Sequence, residues 1–194
     1  MSQSCCRCGP QADTSRLVEF KPFDVRVCLD CGLVFLTSAV DPGEFVEAAR
    51  SQLAQTAEKK LEYWSFPQLY DKYRRVFDTF FEQRLGRLGK AVNPLGDVLD
   101  IGCGYGFFGN YLRKSGVRVV GVEISSECIE YARSQFDMEV SHCDFMEFHS
   151  ECRFDALVAC DVLEHIRDPA AFLEKCSRLL RPQGAIYLLS LIHI

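Results

Sequence analysis

Long apolar runs are missing from this sequence. No stretch reaches the length of a membrane span. The N-terminus, M-S-Q-S-C-C-R-C, has none of the apolar core that a secretory signal needs. Both absences point to the cytosol. A basic excess is missing as well. The formal net charge is −5. Residues 1–40 set four basic side chains against four acidic, residues 41–92 nine against eight, and residues 93–194 nine against fifteen. Proteins that hold nucleic acid carry the opposite balance, so RNA and DNA are disfavoured partners. Nothing in the ordinary 48% hydrophobic and 25% charged content points to disorder. A chain of 194 residues fits one or two domains with a proper core.

Cysteine, in contrast, is plentiful, with eleven residues, and the number is odd. Seven of them, Cys6, Cys103, Cys128, Cys143, Cys152, Cys160 and Cys176, are scattered through predicted core elements, where a thiol behaves as a small hydrophobe. That usage suits a reducing compartment and not a disulfide framework. The other four form Cys5-x-x-Cys8 and Cys28-x-x-Cys31, nineteen residues apart, each followed by a glycine. Paired thiolates at this spacing make a closed tetrahedral shell for a structural Zn2+. Cys6 as a replacement for Cys5 would shorten the first spacing to one residue, a poor chelating knuckle. Residues 17–20, 24–27 and 33–36 alternate like the strands of a small ribbon. So short a segment has little core, and metal would supply much of its stability.

After Asp41-Pro42-Gly43, residues 44–55 and 58–61 have helical composition, with Phe45, Val46, Ala49 and Leu53 near one face. Tyr63, Trp64, Phe66 and Tyr70 form an aromatic cluster broken by Pro67. A longer helix is predicted over 73–88, with Gly89 as its stop. Arg74 and Arg75 suit a solvated face better than an anion site.

The organising stretch is G-D-V-L-D-I-G-C-G-Y-G-F-F-G, residues 96–109. Val98, Leu99 and Ile101 make a short buried strand, Asp100 sits at its end, and Gly102, Cys103, Gly104 and Gly106 form a turn into a helix. Gly104-x-Gly106-x-x-Gly109 also fits the dinucleotide fingerprint. Asp100 decides against it, because a carboxylate beside the loop repels a pyrophosphate. It suits instead the sulfonium and ammonium of S-adenosylmethionine. V-L-D-I-G-C-G-Y-G resembles the first motif of the class I S-adenosylmethionine-dependent methyltransferases, and the likeness runs over roughly residues 93–190. Residues 1–40 in turn resemble the zinc-ribbon leader found ahead of many bacterial methyltransferases.

Later segments carry the same resemblance. Residues 118–123, R-V-V-G-V-E, read as a second strand ending in Glu123, whose two oxygens suit both ribose hydroxyls. Ser125 or Ser126 caps the next helix. A third strand and its exit fall at 140–145, where the resemblance implies Asp144 for the adenine amino group and Phe145 against the ring. A fourth strand spans 154–163 and leads to E-H-I-R-D-P, with Asp168 a good N-cap and Pro169 a good first residue of a helix expected to run to Leu180. The run D-V-L-E-H-I-R-D-P and the later L-L-R-P-Q-G resemble motifs of small-molecule methyltransferases.

Asp161, Glu164 and His165 fall at the cleft edge of the fourth strand, and three readings stay open. His165 is a general base for a substrate hydroxyl, the three together hold a divalent ion, or Glu164 and His165 brace the loop. Methyl transfer is dominated by alignment and desolvation, so no base is obligatory.

The expected fold is an α/β, Rossmann-like doubly wound, mostly parallel sheet. It is organised as a zinc ribbon (1–40), a helical region (41–92) and a partial catalytic domain (93–188). The expected activity is methyl transfer from S-adenosylmethionine to a small-molecule acceptor, with sugar or polysaccharide precursors implied by resemblance. A ribbon that recruits a partner beside an inactive domain is one alternative. An RNA methyltransferase is another, disfavoured by the acidic balance and by C-D-V-L-E-H standing where an N/D-P-P-Y-type run is wanted. Residues 189–194, L-S-L-I-H-I, are identical to the in-frame translation of a common transposase-end sequencing adapter, so the natural sequence is expected to stop near Leu188; the alternative is a strand that simply ends in L-L-S-L-I-H-I. A truncated sheet of this kind is expected to expose an apolar edge and be poorly soluble.

Overall fold

The computed structural model describes residues 4, 5, 7–20, 23–38 and 66–190. The chain divides into two compact units, residues 1–64 and 65–194. Cys6, the helical stretches expected over 44–55 and 58–61, and the aromatic residues Tyr63 and Trp64 lie outside the described residues.

In the first unit, β1 (Thr14–Phe20), β2 (Phe23–Cys28) and β3 (Val34–Ser38) pair antiparallel in sequence order. Two tight turns carry the cysteines. The Gly9 N–H donates to the Cys5 carbonyl at 2.8 Å and the Gly32 N–H to the Cys28 carbonyl at 2.9 Å. Cys5 and Cys28 are buried, while Leu17, Leu29 and Val34 are exposed. Among the described side chains of this ribbon, the apolar ones do not supply a core.

The second unit begins with α1 (Phe66–Lys72) and α2 (Arg74–Ala91). Pro67 is accommodated because it falls in the first turn of α1, where no helical N–H is needed. The chain then alternates through β4 (Asp97–Ile101), α3 (Phe107–Lys114), β5 (Arg118–Glu123), α4 (Ser126–Phe136), β6 (Glu139–His142) and β7 (Phe154–Cys160). A 3-10 turn (Leu163–His165), α5 (Pro169–Leu179) and β8 (Leu180–Leu189) complete it. All five strands are parallel, in the order β6-β5-β4-β7-β8. This is a doubly wound, Rossmann-like sheet.

The pleat sorts the core. Val98 and Val158 face one side, where Phe81 and Leu88 of α2, Phe108 and Leu112 of α3, and Ile129 of α4 pack. Leu99 and Leu157 face the other, against Phe172, Cys176 and Leu179 of α5.

Three expected boundaries shift. Gly89 does not stop α2, because buried Leu88 anchors its last turn and the Val92 N–H still reaches the Leu88 carbonyl. Strand β7 ends at Cys160 and not at Leu163, since Asp161 turns to a φ of +57°. Leu180 opens β8 instead of closing the preceding helix. The caps fall as expected. Ser125 Oγ accepts from the Cys128 N–H, and Asp168 Oδ1 accepts from the Ala171 N–H with Pro169 next to it.

The lower end of the sheet is clamped by charge. Asp155 Oδ2 accepts from the Gly96 and Asp97 N–H groups at 3.1 and 2.7 Å. Arg181 bridges Asp155 at 2.9 Å and Asp97 at 2.6 Å. Three strand starts are thereby fixed in register, which sets the level of their opposite ends. Leu189 and Ser190 are part of the fold: the Leu189 carbonyl accepts from the Asp161 N–H, and Ser190 is buried. Among the described residues no strand pairs with the outer edge of β8. No helix among the described residues is long and apolar enough to cross a membrane.

Candidate functional site

Strand order reverses between β4 and β7, and the crevice above their C-terminal ends is where open α/β sheets take ligands. The glycine loop leaves β4 there. The Gly102 and Cys103 N–H groups donate to the Val122 carbonyl at 2.8 and 3.2 Å, so the base of the loop is tied to β5. Gly106, at φ +77°, lets α3 approach α4, where an added Cβ would meet that of Ala132 at 2.9 Å. Gly104, at φ +53°, is different. Nothing lies within 4 Å of where its Cβ would be. Its backbone is bare toward open space, the condition for close approach of a ligand.

Glu123 stands at the end of β5 beside that opening. Its Oε2 accepts from the Gly104 N–H at 2.9 Å, and its Oε1 from the Ile124 and Ser125 N–H groups at 2.8 and 2.9 Å. Asp100 lies deeper than a half-buried cleft residue. It is 5% exposed because β5 and β7 flank it on both sides. Burial pushes its carboxyl up to about 7; the Arg84 guanidinium opposes that rise and Glu123 adds to it. Cys103 is a packing group in the loop, its thiol pushed up by burial and by the acids Asp100 and Glu123.

The sequence motifs do not single out Arg84. Its guanidinium lies over the Phe81 and Phe108 rings, 5.8 and 5.6 Å from their centroids, and acts on both Asp100 and Cys160. A signal for it exists. Phe77, Phe81, Arg84 and Leu88 follow helical spacing, so Arg84 is a cation set into an otherwise apolar stripe.

The other expected residues separate. Asp144 is exposed at the exit of β6 and takes the Met146 N–H on Oδ1 at 2.6 Å. Phe145 does not face the opening as expected. Its ring is buried against Phe172, with centroids 5.0 Å apart, so it is spent in the core and is not free to lie on a ligand. Alternation across the strand exit sends it to the α5 face. The apolar surface at these exits comes instead from Ile124, 66% exposed, and Met146, 41% exposed. Asp161 is exposed at its positive φ, a conformation that costs energy and concentrates at functional sites. His165 is exposed, and Glu164 Oε2 accepts from the Ser190 hydroxyl at 2.9 Å. Asp161, Glu164 and His165 do not bring three donor atoms together as a metal site. Among the described residues only Cys5, Cys8, Cys28 and Cys31 do so, all within 4.8 Å of one another.

Those four thiols fit a metal. The Cys5 and Cys31 sulfurs are 3.7 Å apart, and a tetrahedral shell with Zn–S near 2.3 Å has S···S edges of about 3.8 Å. Burial raises the Cys5 thiol, but the Cys8 and Arg7 N–H groups outweigh it and bring it down to about 7.

Residues 99–188 match the family model described as a methyltransferase domain. Over these residues the second unit is similar to S-adenosylmethionine-dependent methyltransferases of class I. A ubiquinone biosynthesis O-methyltransferase of Xylella fastidiosa is 32% identical over 112 residues, covering 54% of this chain and 46% of its own. The corresponding protein of Xanthomonas axonopodis is 30% identical over 116 residues, covering 56% and 48%. The chain thus spans about half the length of the curated relatives it matches. Among solved structures, S-adenosylmethionine-bound CalS10, an amino pentose methyltransferase from Micromonospora echinaspora, superposes with a TM-score of 0.55 at 20% identity, over 62% of this chain and 55% of that one. The plantazolicin methyltransferase BpumL gives 0.55 at 22%, over 70% and 55%. At these identities the superpositions speak to the fold of this methyltransferase domain and not to its acceptor.

Proposed function

We propose that the chain is an enzyme that transfers a methyl group from S-adenosylmethionine to a small-molecule acceptor, and that residues 1–40 are a ribbon stapled by structural zinc. One observation carries the first part: the Glu123 carboxylate faces the bare backbone of Gly104 at the switch point of a parallel sheet. Glu123 accepts the ribose hydroxyls there, and the Gly104 backbone gives the ligand room. Ile124 offers an apolar surface to the adenine, and Asp144 keeps an oxygen for its amino group. At the opposite end Asp100 and Arg84 form a pair of opposite charges matched to an amino-acid zwitterion. An ammonium beside Asp100 favours its ionised form.

When bound, S-adenosylmethionine supplies an electrophilic methyl on a sulfonium. The residues of the chain hold it in line with the acceptor and exclude water. His165 and Asp161 stand on the acceptor side, with His165 available as a base for a hydroxyl acceptor. Glu164, tied to Ser190, braces that turn. The kinship with O-methyltransferases and the fold shared with an amino pentose methyltransferase support a small polar acceptor. The functional division proposed is ribbon 1–40, helical region 41–92 and catalytic domain 93–188, in a cytosolic setting.

The test is calorimetric titration of S-adenosylmethionine into the zinc-loaded chain and into Glu123→Ala. Micromolar affinity that falls at least about 100-fold in the variant is expected, the loss of two charge-assisted hydrogen bonds. A folded chain that takes up no S-adenosylmethionine overturns the reading and leaves the ribbon as a binding module.

A further inference from the structure

Glu123 has fewer lone pairs than its roles demand. A carboxylate offers about four acceptor sites. Three are already taken, by the N–H groups of Gly104, Ile124 and Ser125. Two ribose hydroxyls need two more. If the cofactor reading proposed for this site holds, one backbone bond is therefore surrendered when the ligand enters. The Ile124 and Ser125 bonds close the turn that follows Glu123 itself. The Gly104 bond is the one that crosses between elements.

The base of the loop does not depend on it, because Gly102 and Cys103 are held by Val122. The tip does. Side chains of the β5–α4 segment hold the tip: Glu123, through Gly104, and Glu127, whose Oε1 accepts from the Tyr105 hydroxyl at 3.1 Å, with the Cys128 thiol beside that hydroxyl. We propose that Tyr105 is a positioning residue: its bond to Glu127 keeps the loop tip in binding geometry once Glu123 has released Gly104 to take the ligand.

The surroundings suit that role. The Tyr105 ring is seated edge-on to Tyr131 at 5.3 Å and tilted against Phe107 at 6.4 Å. Burial, followed by Cys128 and Glu127, pushes its phenol up to about 12, so the hydroxyl keeps its proton and donates. Glu127 sits in the first turn of α4, where a negative charge is favoured. Nothing in this arrangement requires the hydroxyl to touch ligand. Because the ring contacts survive in phenylalanine, Tyr105→Phe removes only what the hydroxyl makes, the bond to Glu127 and the contact with the Cys128 thiol.

The experiment uses the full zinc-loaded chain and S-adenosylhomocysteine as the probe, with Tyr105→Phe, Glu127→Ala, Glu127→Gln and the double variant Tyr105→Phe/Glu127→Ala. Calorimetry gives affinity, and amide exchange at Gly104 and Gly106 gives loop order with and without the probe. Tyr105→Phe and Glu127→Ala each weaken binding about five-fold and lose protection at the tip in the loaded state. The double variant loses no more than either single, and Glu127→Gln, which keeps a carbonyl acceptor, stays near the parent. Melting temperatures stay within about 2 °C. Tyr105→Phe binding like the parent overturns this inference alone, as does a double variant whose loss is the product of the singles. A parent chain that binds no probe overturns the cofactor reading and this inference with it.

Discussion

The two units of this chain reach order by opposite means. In residues 1–64 the described buried side chains are the sulfurs Cys5 and Cys28, and larger apolar residues such as Leu29 stand in solvent. In residues 65–194 two apolar layers enclose a parallel sheet, and Leu99, Leu157 and Phe172 are wholly buried. The described part of the first unit is a three-stranded ribbon beside which four cysteine sulfurs gather within 4.8 Å of one another. The second is a core that needs no cross-link. A short segment without enough surface to bury can draw its stability from a bound metal instead, and four gathered thiols are the donor set for one.

Removing the metal tests this contrast most severely. A chelator is expected to abolish the ribbon, seen as rapid amide exchange and proteolytic cutting within residues 1–40. The melting of the second unit shifts by no more than about 2 °C. A ribbon that keeps its protection without metal would erase the contrast. The converse is Phe172→Ala. Emptying that site costs about 3–5 kcal/mol, a fall of roughly 10 °C in the second transition, while the chelator titration of the ribbon is unmoved.

A smaller effect probes the second unit on its own. Arg181→Ala removes the bridge to Asp155 and Asp97 at the strand starts. Arg181 is half in solvent, so a loss of about 1 kcal/mol is expected. Its pH dependence has a definite sign. Burial alone would raise the Asp155 carboxyl, but the Asp97 N–H and Arg181 outweigh it and hold it below its ordinary value. Stability from this group is therefore present above the unfolded value near ~4 and disappears as pH falls through the lower folded one. The melting gap between parent and variant should stay constant from neutrality to about pH 5 and close below about pH 4. A gap that widens in acid would contradict the assignment.

Features written in local chemistry are legible in the amino-acid sequence. The thiol spacing, the Asp168-Pro169 helix start, the Ser125 cap and the glycine turn after β4 depend on a few adjacent residues, and they stand where the sequence puts them. Features that depend on which face a side chain joins are less so. Phe145 reads as a residue at a strand exit, and nothing nearby in sequence says that Phe172 waits for it in the opposite layer. Gly89 reads as a helix stop, and only the burial of Leu88 carries α2 past it. Arg84 escapes a motif reading because a guanidinium in an apolar stripe is conspicuous only once Asp100 is seen to lie within its field.

The order of elements, the cysteine knuckles and the strand-glycine-helix turn follow from the sequence alone, because propensity, spacing and capping act over a few residues. Packing settled the rest. It sank Asp100 between two strands and so raised its pKa. It set Glu123 against Gly104, brought Tyr105 to Glu127 across 22 positions, and drew Asp161, Glu164 and His165 apart as metal ligands while drawing four sulfurs together. Those outcomes depend on distances between side chains on different elements, and such distances exist only after the sheet has closed its register and the layers have packed.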